Sequence, residues 1–404
     1  MPSPNFIRET LDDLKRRDLY RALSAIGSPP GPRVRIAGRE VLQFASNNYL
    51  GLANDPRVKE AAKRGIEKWG WGTGASRLVA GHTEAHEALE ADLAAFMGSE
   101  AALVFPTGYQ ANLGLITALA GRGDAVIGDR SNHASIYDAV RLSGARLLRY
   151  RQADAADAAR VMAKSGGRAT PHPAPLPQGE REDSAAPSRR LIVTDTVFSM
   201  DGDLAPLDDL AALARQTGAM LLLDEAHAVG VLGPTGAGVA EELGLRGKVT
   251  ARVATLSKAL GGIGGFVAAS RNLCDLIVNR ARPFIYTTAL PAAACEAAQA
   301  ALEIVRTEPE RRNRLADMAL RLKATLRSRG FQTNLAPTPI AAIILGGPEA
   351  ALEMAARLLE RGIFCPAIRP PTVPPGTSRL RVSLTAEHTD ADVARLVEAL
   401  SALR

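Results

Sequence analysis

Residues 191–227 read LIVTDTVFSMDGDLAPLDDLAALARQTGAMLLLDEAH, and this stretch decides the fold class. The apolar run Leu191, Ile192, Val193 gives way to a polar loop. A segment follows in which leucines and alanines recur at helical spacing, and a second apolar run ends at Leu223. Two short apolar runs joined by an amphipathic helix are the pattern of parallel strands with a crossover. In sheets of this kind ligands bind beyond the carboxyl ends of the strands. The residues to examine are therefore those just after each apolar run, beginning with Asp224, Glu225, Ala226 and His227.

The same beat extends in both directions. Upstream, Leu89, Leu93, Phe96 and Met97 share a helical face that Gly98 closes, and AALVF (101–105), DAVIG (124–128) and ARLLRY (145–150) read as strands. Downstream, RVATLS (252–257) reads as another. The expected class is α/β, with a mainly parallel sheet covered by helices in a large domain at 46–289. From about residue 290 long helical patterns precede IAAIIL (340–345) and RLRVSL (379–384), which predicts a smaller C-terminal α/β domain at 290–404, with residues 1–45 as an N-terminal segment. Residues 164–190 carry five prolines and many charges, and are expected to be a disordered surface insertion.

Composition narrows the function. The 404 residues are 46% hydrophobic and 23% charged, enough for one large core and a smaller one. A net charge of +6 could point to nucleic acid, but the basic residues are scattered and aromatics make up 4%, so no stacking platform is expected. A positive surface would also attract an anionic substrate or an acidic carrier protein. The sequence has no apolar run of about eighteen residues, and its first residues are polar, so a cytoplasmic chain without membrane contact is expected. Cys274, Cys295 and Cys365 lack zinc or redox spacing, and no metal is expected. His82 and His86 stand four apart without a third ligand, and neither GPTGAG (233–238) nor GGIGG (261–265) is a nucleotide-binding loop.

Four strand ends carry chemistry. In ATLSKALGGIGGFVAAS (254–270) small residues surround Lys258, leaving room for a bulky ring bonded to its amine. Asp224 could keep a pyridine nitrogen protonated, with His227 reaching the ring's phenolic oxygen; the plainer alternative is a helix-capping acid with a structural histidine. Thr107 and Gly108 open a helix whose free N–H groups suit a phosphate. His133 follows a further strand and could stack on the ring, exchange protons, or be a satisfied loop histidine.

In order, SNNYLGL (46–52), SRLVAGHTEAHEALE (76–90), PTGYQAN (106–112), SNHASIYDA (131–139), VFSMDGDLAPL (197–207), DEAHAVGVLG (224–233), TLSKALGG (255–262), YTTALP (286–291) and RPPTVPPGTSRLRVSLTAEHT (369–389) resemble the α-oxoamine synthases. These are fold-type I pyridoxal phosphate (PLP) enzymes, and the likeness spans nearly the whole chain. The resemblance implies that Lys258 bonds the cofactor, Asp224 meets its ring nitrogen and His133 stacks over it. Gly108, Tyr109 and Thr255 would bind the phosphate, and Ser199 and His227 the phenolic oxygen. Asn47 and Arg381 would take the amino-acid carboxylate, and Arg21 with Thr372 the acyl substrate. It also implies a homodimer, with Thr287 and Thr288 serving the neighbouring subunit's phosphate. The stretches at 76–86 and 369–389 look most like the branch that joins L-alanine to a pimeloyl thioester on coenzyme A or an acyl carrier protein. Ala228 and Val229 look instead like the glycine-using acetyltransferases. A catalytically inactive partner subunit is the remaining alternative, opposed by the presence of Lys258, Asp224 and His133 together.

Overall fold

The computed structural model describes residues 4–166 and 188–403. The chain forms two compact units. The smaller comprises Met1–Asp55, Ser199–Asp203 and Glu308–Arg404, and the larger Pro56–Phe198 and Leu204–Thr307. Of the expected insertion, residues 167–187 lie outside the described residues, while Lys164–Gly166 forms a short 3₁₀ turn.

The larger unit holds seven strands: β1 (Ala101–Phe105), β2 (Ala125–Asp129), β3 (Arg146–Tyr150), β4 (Arg190–Asp195), β5 (Met220–Asp224), β6 (Ala251–Thr255) and β7 (Gly265–Ala269). They pair in the order β1-β7-β6-β5-β4-β2-β3. The pairs from β6 through to β3 are parallel, and β7 runs antiparallel to both β1 and β6. Every residue of β1, β2, β6 and β7 is buried, as expected of strands covered on both faces. Phe105, Val126, Leu191, Leu222, Val253 and Val267 pack with Leu115 and Ile136 of two helices, Gly108–Leu119 and Ala134–Ser143, and with Ile277 of a third, Arg271–Arg280.

Because β2, β4, β5 and β6 run parallel, their carboxyl ends share one edge of the sheet. Asp129, Asp195, Asp224 and Thr255 close these four strands. At the same edge β7 begins with Gly265, where an added Cβ would lie 2.4 Å from Gly108 Cα and 2.5 Å from its nitrogen. Only glycine lets the start of the helix Gly108–Leu119 approach the sheet this closely.

In the smaller unit Ile340–Gly346 and Ser378–Ser383, both expected strands, pair antiparallel with each other, and Ala367–Ile368 joins the second. The piece Ser199–Asp203 is bound into this unit by Arg379, which pairs with Asp201, and by Thr338, whose hydroxyl donates to Gly202 O at 2.7 Å. The buried amine of Lys323 donates to Asn334 Oδ1, Ala336 O and Thr338 O at 2.6–2.9 Å, fixing that loop. Among the described residues no helix is long and apolar enough to cross a membrane.

Candidate active site

The buried leucines of β5 carry the chain to Asp224, which is 7% exposed. Its Oδ1 accepts from Ala226 N at 2.9 Å and its Oδ2 from Asn112 Nδ2 at 2.7 Å. A run of turns follows, so Asp224 caps no helix, and the plainer reading of that acid is set aside. In the sheet register Asp195 stands opposite Asp224. Its Oδ1 accepts from the backbone N–H of His133 at 3.2 Å. Burial and the neighbouring Asp224 hold the Asp195 carboxyl well above the usual carboxylate range.

His133 is the N-cap of the helix Ala134–Ser143. Its Nδ1 accepts from Ser135 N at 3.3 Å and lies 2.8 Å from Ser135 Oγ. The edge of its ring meets Tyr109, with centroids 6.4 Å apart and planes at 80°. Burial lowers its proton affinity; Asp224 opposes that shift and the charge of Lys258 reinforces it. Tyr109 in turn donates a short hydrogen bond to Asp138.

The carboxyl end of β6 completes the wall. Thr255 Oγ1 donates to Gly264 O at 2.8 Å, lies 2.6 Å from Ser257 Oγ and accepts from Ser257 N at 3.2 Å, folding the loop that bears Lys258. Opposite it, Thr107 caps the helix Gly108–Leu119 by accepting from Gln110 N at 3.1 Å. The N–H groups of Gly108 and Tyr109 lie outside the helix's internal ladder.

The carboxyl ends of β1, β2, β4, β5 and β6 line a cavity of about 210 Å³. It gathers eight of the expected residues: Thr107, Gly108, Tyr109, His133, Asp224, His227, Thr255 and Lys258. Its other polar side chains include Asn112, Ser135, Asp195 and Ser257, to which the sequence assigned no role. The donor set fits a phosphorylated pyridine aldehyde. A helix N-terminus with two hydroxyls suits the phosphate, a buried carboxylate suits a ring nitrogen, and an amine suits the aldehyde carbon. Thr287 and Thr288 are not part of this cavity; Thr287 Oγ1 accepts from Gln110 Nε2 at 3.2 Å, and Thr288 bridges to Ser76. His82 and His86 lie 6.0 Å apart between ring centroids, and among the described residues no group of three or more His, Cys, Asp and Glu could hold a metal.

The remaining expected residues lie in the smaller unit. Arg381, 7% exposed, donates to Asn47 Oδ1 at 3.0 Å, to Ser383 Oγ at 2.7 Å, to Tyr49 Oη at 3.3 Å and to the carbonyl of Ser199. Each of these acceptors is neutral, which leaves the guanidinium charge available for a carboxylate. Arg21 Nη2 reaches Pro370 O at 3.1 Å and Thr372 Oγ1 at 3.5 Å, so these two expected residues also stand together.

The sequence profile of the aminotransferase class I and II family matches residues 39–400. The chain belongs to that family. Over 399 residues it is 49% identical to 8-amino-7-oxononanoate synthase from Anaeromyxobacter dehalogenans strain 2CP-1, covering 99% of this chain and 95% of the relative. Among solved structures, a serine palmitoyltransferase variant from S. paucimobilis with a bound PLP–myriocin aldimine superposes with a TM-score of 0.88 at 34% identity, covering 98% of this chain and 96% of that one. An 8-amino-7-oxononanoate synthase from Francisella tularensis does so with a TM-score of 0.75 at 27% identity, covering 90% and 97%. The fold is therefore the fold-type I architecture that the motifs implied.

Proposed function

We propose that this chain is a PLP-dependent acyltransferase that condenses L-alanine with a pimeloyl thioester, giving 8-amino-7-oxononanoate, carbon dioxide and free thiol in biotin biosynthesis. The observation that carries the reading is the meeting of Lys258, Asp224 and His133 in one cavity, in a chain 49% identical over 99% of its length to an enzyme of that name. PLP, when bound, supplies an electron sink for negative charge developing at the amino acid's α-carbon.

The chain's own residues do the rest. Asp224, held by two N–H donors, keeps a carboxylate against the ring nitrogen. The amine of Lys258 would anchor the cofactor and, when free, would take the α-proton of alanine and later return one. Arg381 and Asn47 receive the alanine carboxylate, and Arg21 and Thr372 the acyl chain. His133 donates a hydrogen bond to the thioester carbonyl as its oxygen gains charge. Gly108, Tyr109 and Thr255 hold the phosphate, and His227 and Ser199 the phenolic oxygen. The expected homodimer, in which Thr287 and Thr288 would reach a second subunit's phosphate, is supported by the exposed Trp71, Val79, Ile263 and Tyr286. The reading places the enzyme in the cytoplasm, with the large domain carrying the cofactor.

The test is thiol release and product mass with purified protein, PLP and pimeloyl-CoA or pimeloyl-acyl carrier protein, offering L-alanine or glycine, beside acetyl-CoA with glycine. Release that needs alanine and the pimeloyl donor is the expected result. Preference for glycine with acetyl-CoA would replace this reading with a glycine acetyltransferase, the choice favoured by Ala228 and Val229.

A further inference from the structure

Four side chains of the larger unit are joined in one continuous series of hydrogen bonds. Asn112 Nδ2 lies 2.7 Å from Asp224 Oδ2 and 3.0 Å from Ser135 Oγ. An amide nitrogen only donates, and the flipped amide would set its oxygen against a carboxylate, so both bonds run outward from Asn112. Ser135 Oγ thus accepts from Asn112, and it lies 2.8 Å from His133 Nδ1. The backbone N–H of Ser135 is directed at the same ring nitrogen, at 3.3 Å. A backbone amide cannot accept a proton there. Nδ1 is therefore an acceptor from two donors and carries no hydrogen, which leaves the ring proton on Nε2.

We propose that Asn112 and Ser135 are positioning residues that hold His133 as its neutral Nε2–H tautomer, so that the ring offers substrate a hydrogen-bond donor and neither a base nor a cation. Protonating Nδ1 would bring its hydrogen against the fixed N–H of Ser135 and oblige the Ser135 hydroxyl to turn away, so the geometry itself opposes the imidazolium. The charged and titratable groups that face His133 act on it from several elements: Asp224 from β5, Lys258 from the loop after β6, Asp138 from its own helix, Asp195 from β4 through the backbone, and Tyr109 at the ring edge. Burial and Lys258 lower its proton affinity, in the same direction as the hydrogen bonds, against Asp224. A neutral donor suits a thioester carbonyl, because its hydrogen bond strengthens as the oxygen gains charge without a proton having to leave the ring.

The catalytic consequence rests on the role proposed above for His133; the tautomer does not. The experiment is nitrogen NMR of the full chain labelled in its six histidines, with and without PLP, His133 being assigned by its loss in His133→Gln. The expected spectrum shows His133 as the Nε2–H form, titrating below the ordinary histidine range. Ser135→Ala should move its titration up and lower kcat about tenfold with the KM for alanine unchanged, and Ser135→Thr should recover both. An Nδ1–H tautomer in the unmodified chain, or Ser135→Ala titrating as the unmodified chain does, overturns the proposal. An Nε2–H signal in a protein that forms no product supports the hydrogen-bond chain and rejects the reaction.

Discussion

Asp195 and Asp224 stand opposite each other on neighbouring strands, and two buried carboxylates so placed are costly to charge together. The raised Asp195 carboxyl means that the folded chain holds a proton the unfolded chain has already released above the ordinary carboxylate range. Its contribution to stability therefore falls as pH rises from the unfolded value toward the folded one. Asp195→Asn keeps the acceptor for His133 N and should raise the Tm at neutral pH, with the gain shrinking in acid; a gain independent of pH would reject this account. Lys258→Ala should abolish the bound-cofactor absorbance and lower kcat by at least about 10²–10⁴-fold with the circular dichroism unchanged. Arg381→Ala should raise the KM for alanine about 10- to 100-fold. Lys258, Asp224 and His133 were legible because each follows an apolar run, with small or polar neighbours that mark a strand end. Asp195 closes such a run too and could have been found by the same rule. Asn112 could not, since it sits inside a helix and only the packing of that helix aims it at Asp224.

The helix Gly108–Leu119 owes its seat to Gly265, and here the element sets the site. Gly265→Ala would drive a methyl group into the backbone of Thr107 and Gly108, at 2.4–2.9 Å. The expected cost is about 1–3 kcal/mol of stability, together with weaker PLP binding, checked by thermal denaturation and cofactor titration. Loss of stability without loss of cofactor affinity would mean that the phosphate lies elsewhere. The strands were readable from their apolar runs, but their order was not, because pairing depends on crossovers that leave no local mark. The direction of β7 had a signal that went unused. Nine residues separate Thr255 from Gly265, too few for the helical crossover that a parallel neighbour requires. Nor did the sequence reveal that His133 caps its own helix, since histidine is not among the usual capping residues.

At the scale of the molecule, a cofactor bound by the folded chain alone should stabilise it by about 2.7 kcal/mol at a hundredfold excess over its Kd. Thermal denaturation with and without PLP measures this, and Lys258→Ala should diminish the difference. The change from sheet to long helices was visible in the sequence, but the assignment of Ser199–Asp203 to the smaller unit was not: its ties come from Arg379 and Thr338, more than a hundred residues downstream. That assignment bears on the order of events during synthesis. The larger unit, with the whole cavity around Lys258, has all its residues once Thr307 has emerged from the ribosome, whereas the smaller unit waits for the chain's last segment. At about 5–20 residues per second the two moments differ by on the order of ten seconds. During that interval Ser199–Asp203 is tethered at both ends to a unit whose residues are all present, while its own binding partners have yet to be translated. Pulse-labelled nascent chains should accordingly gain protease resistance around Lys258 before they gain it around Arg381.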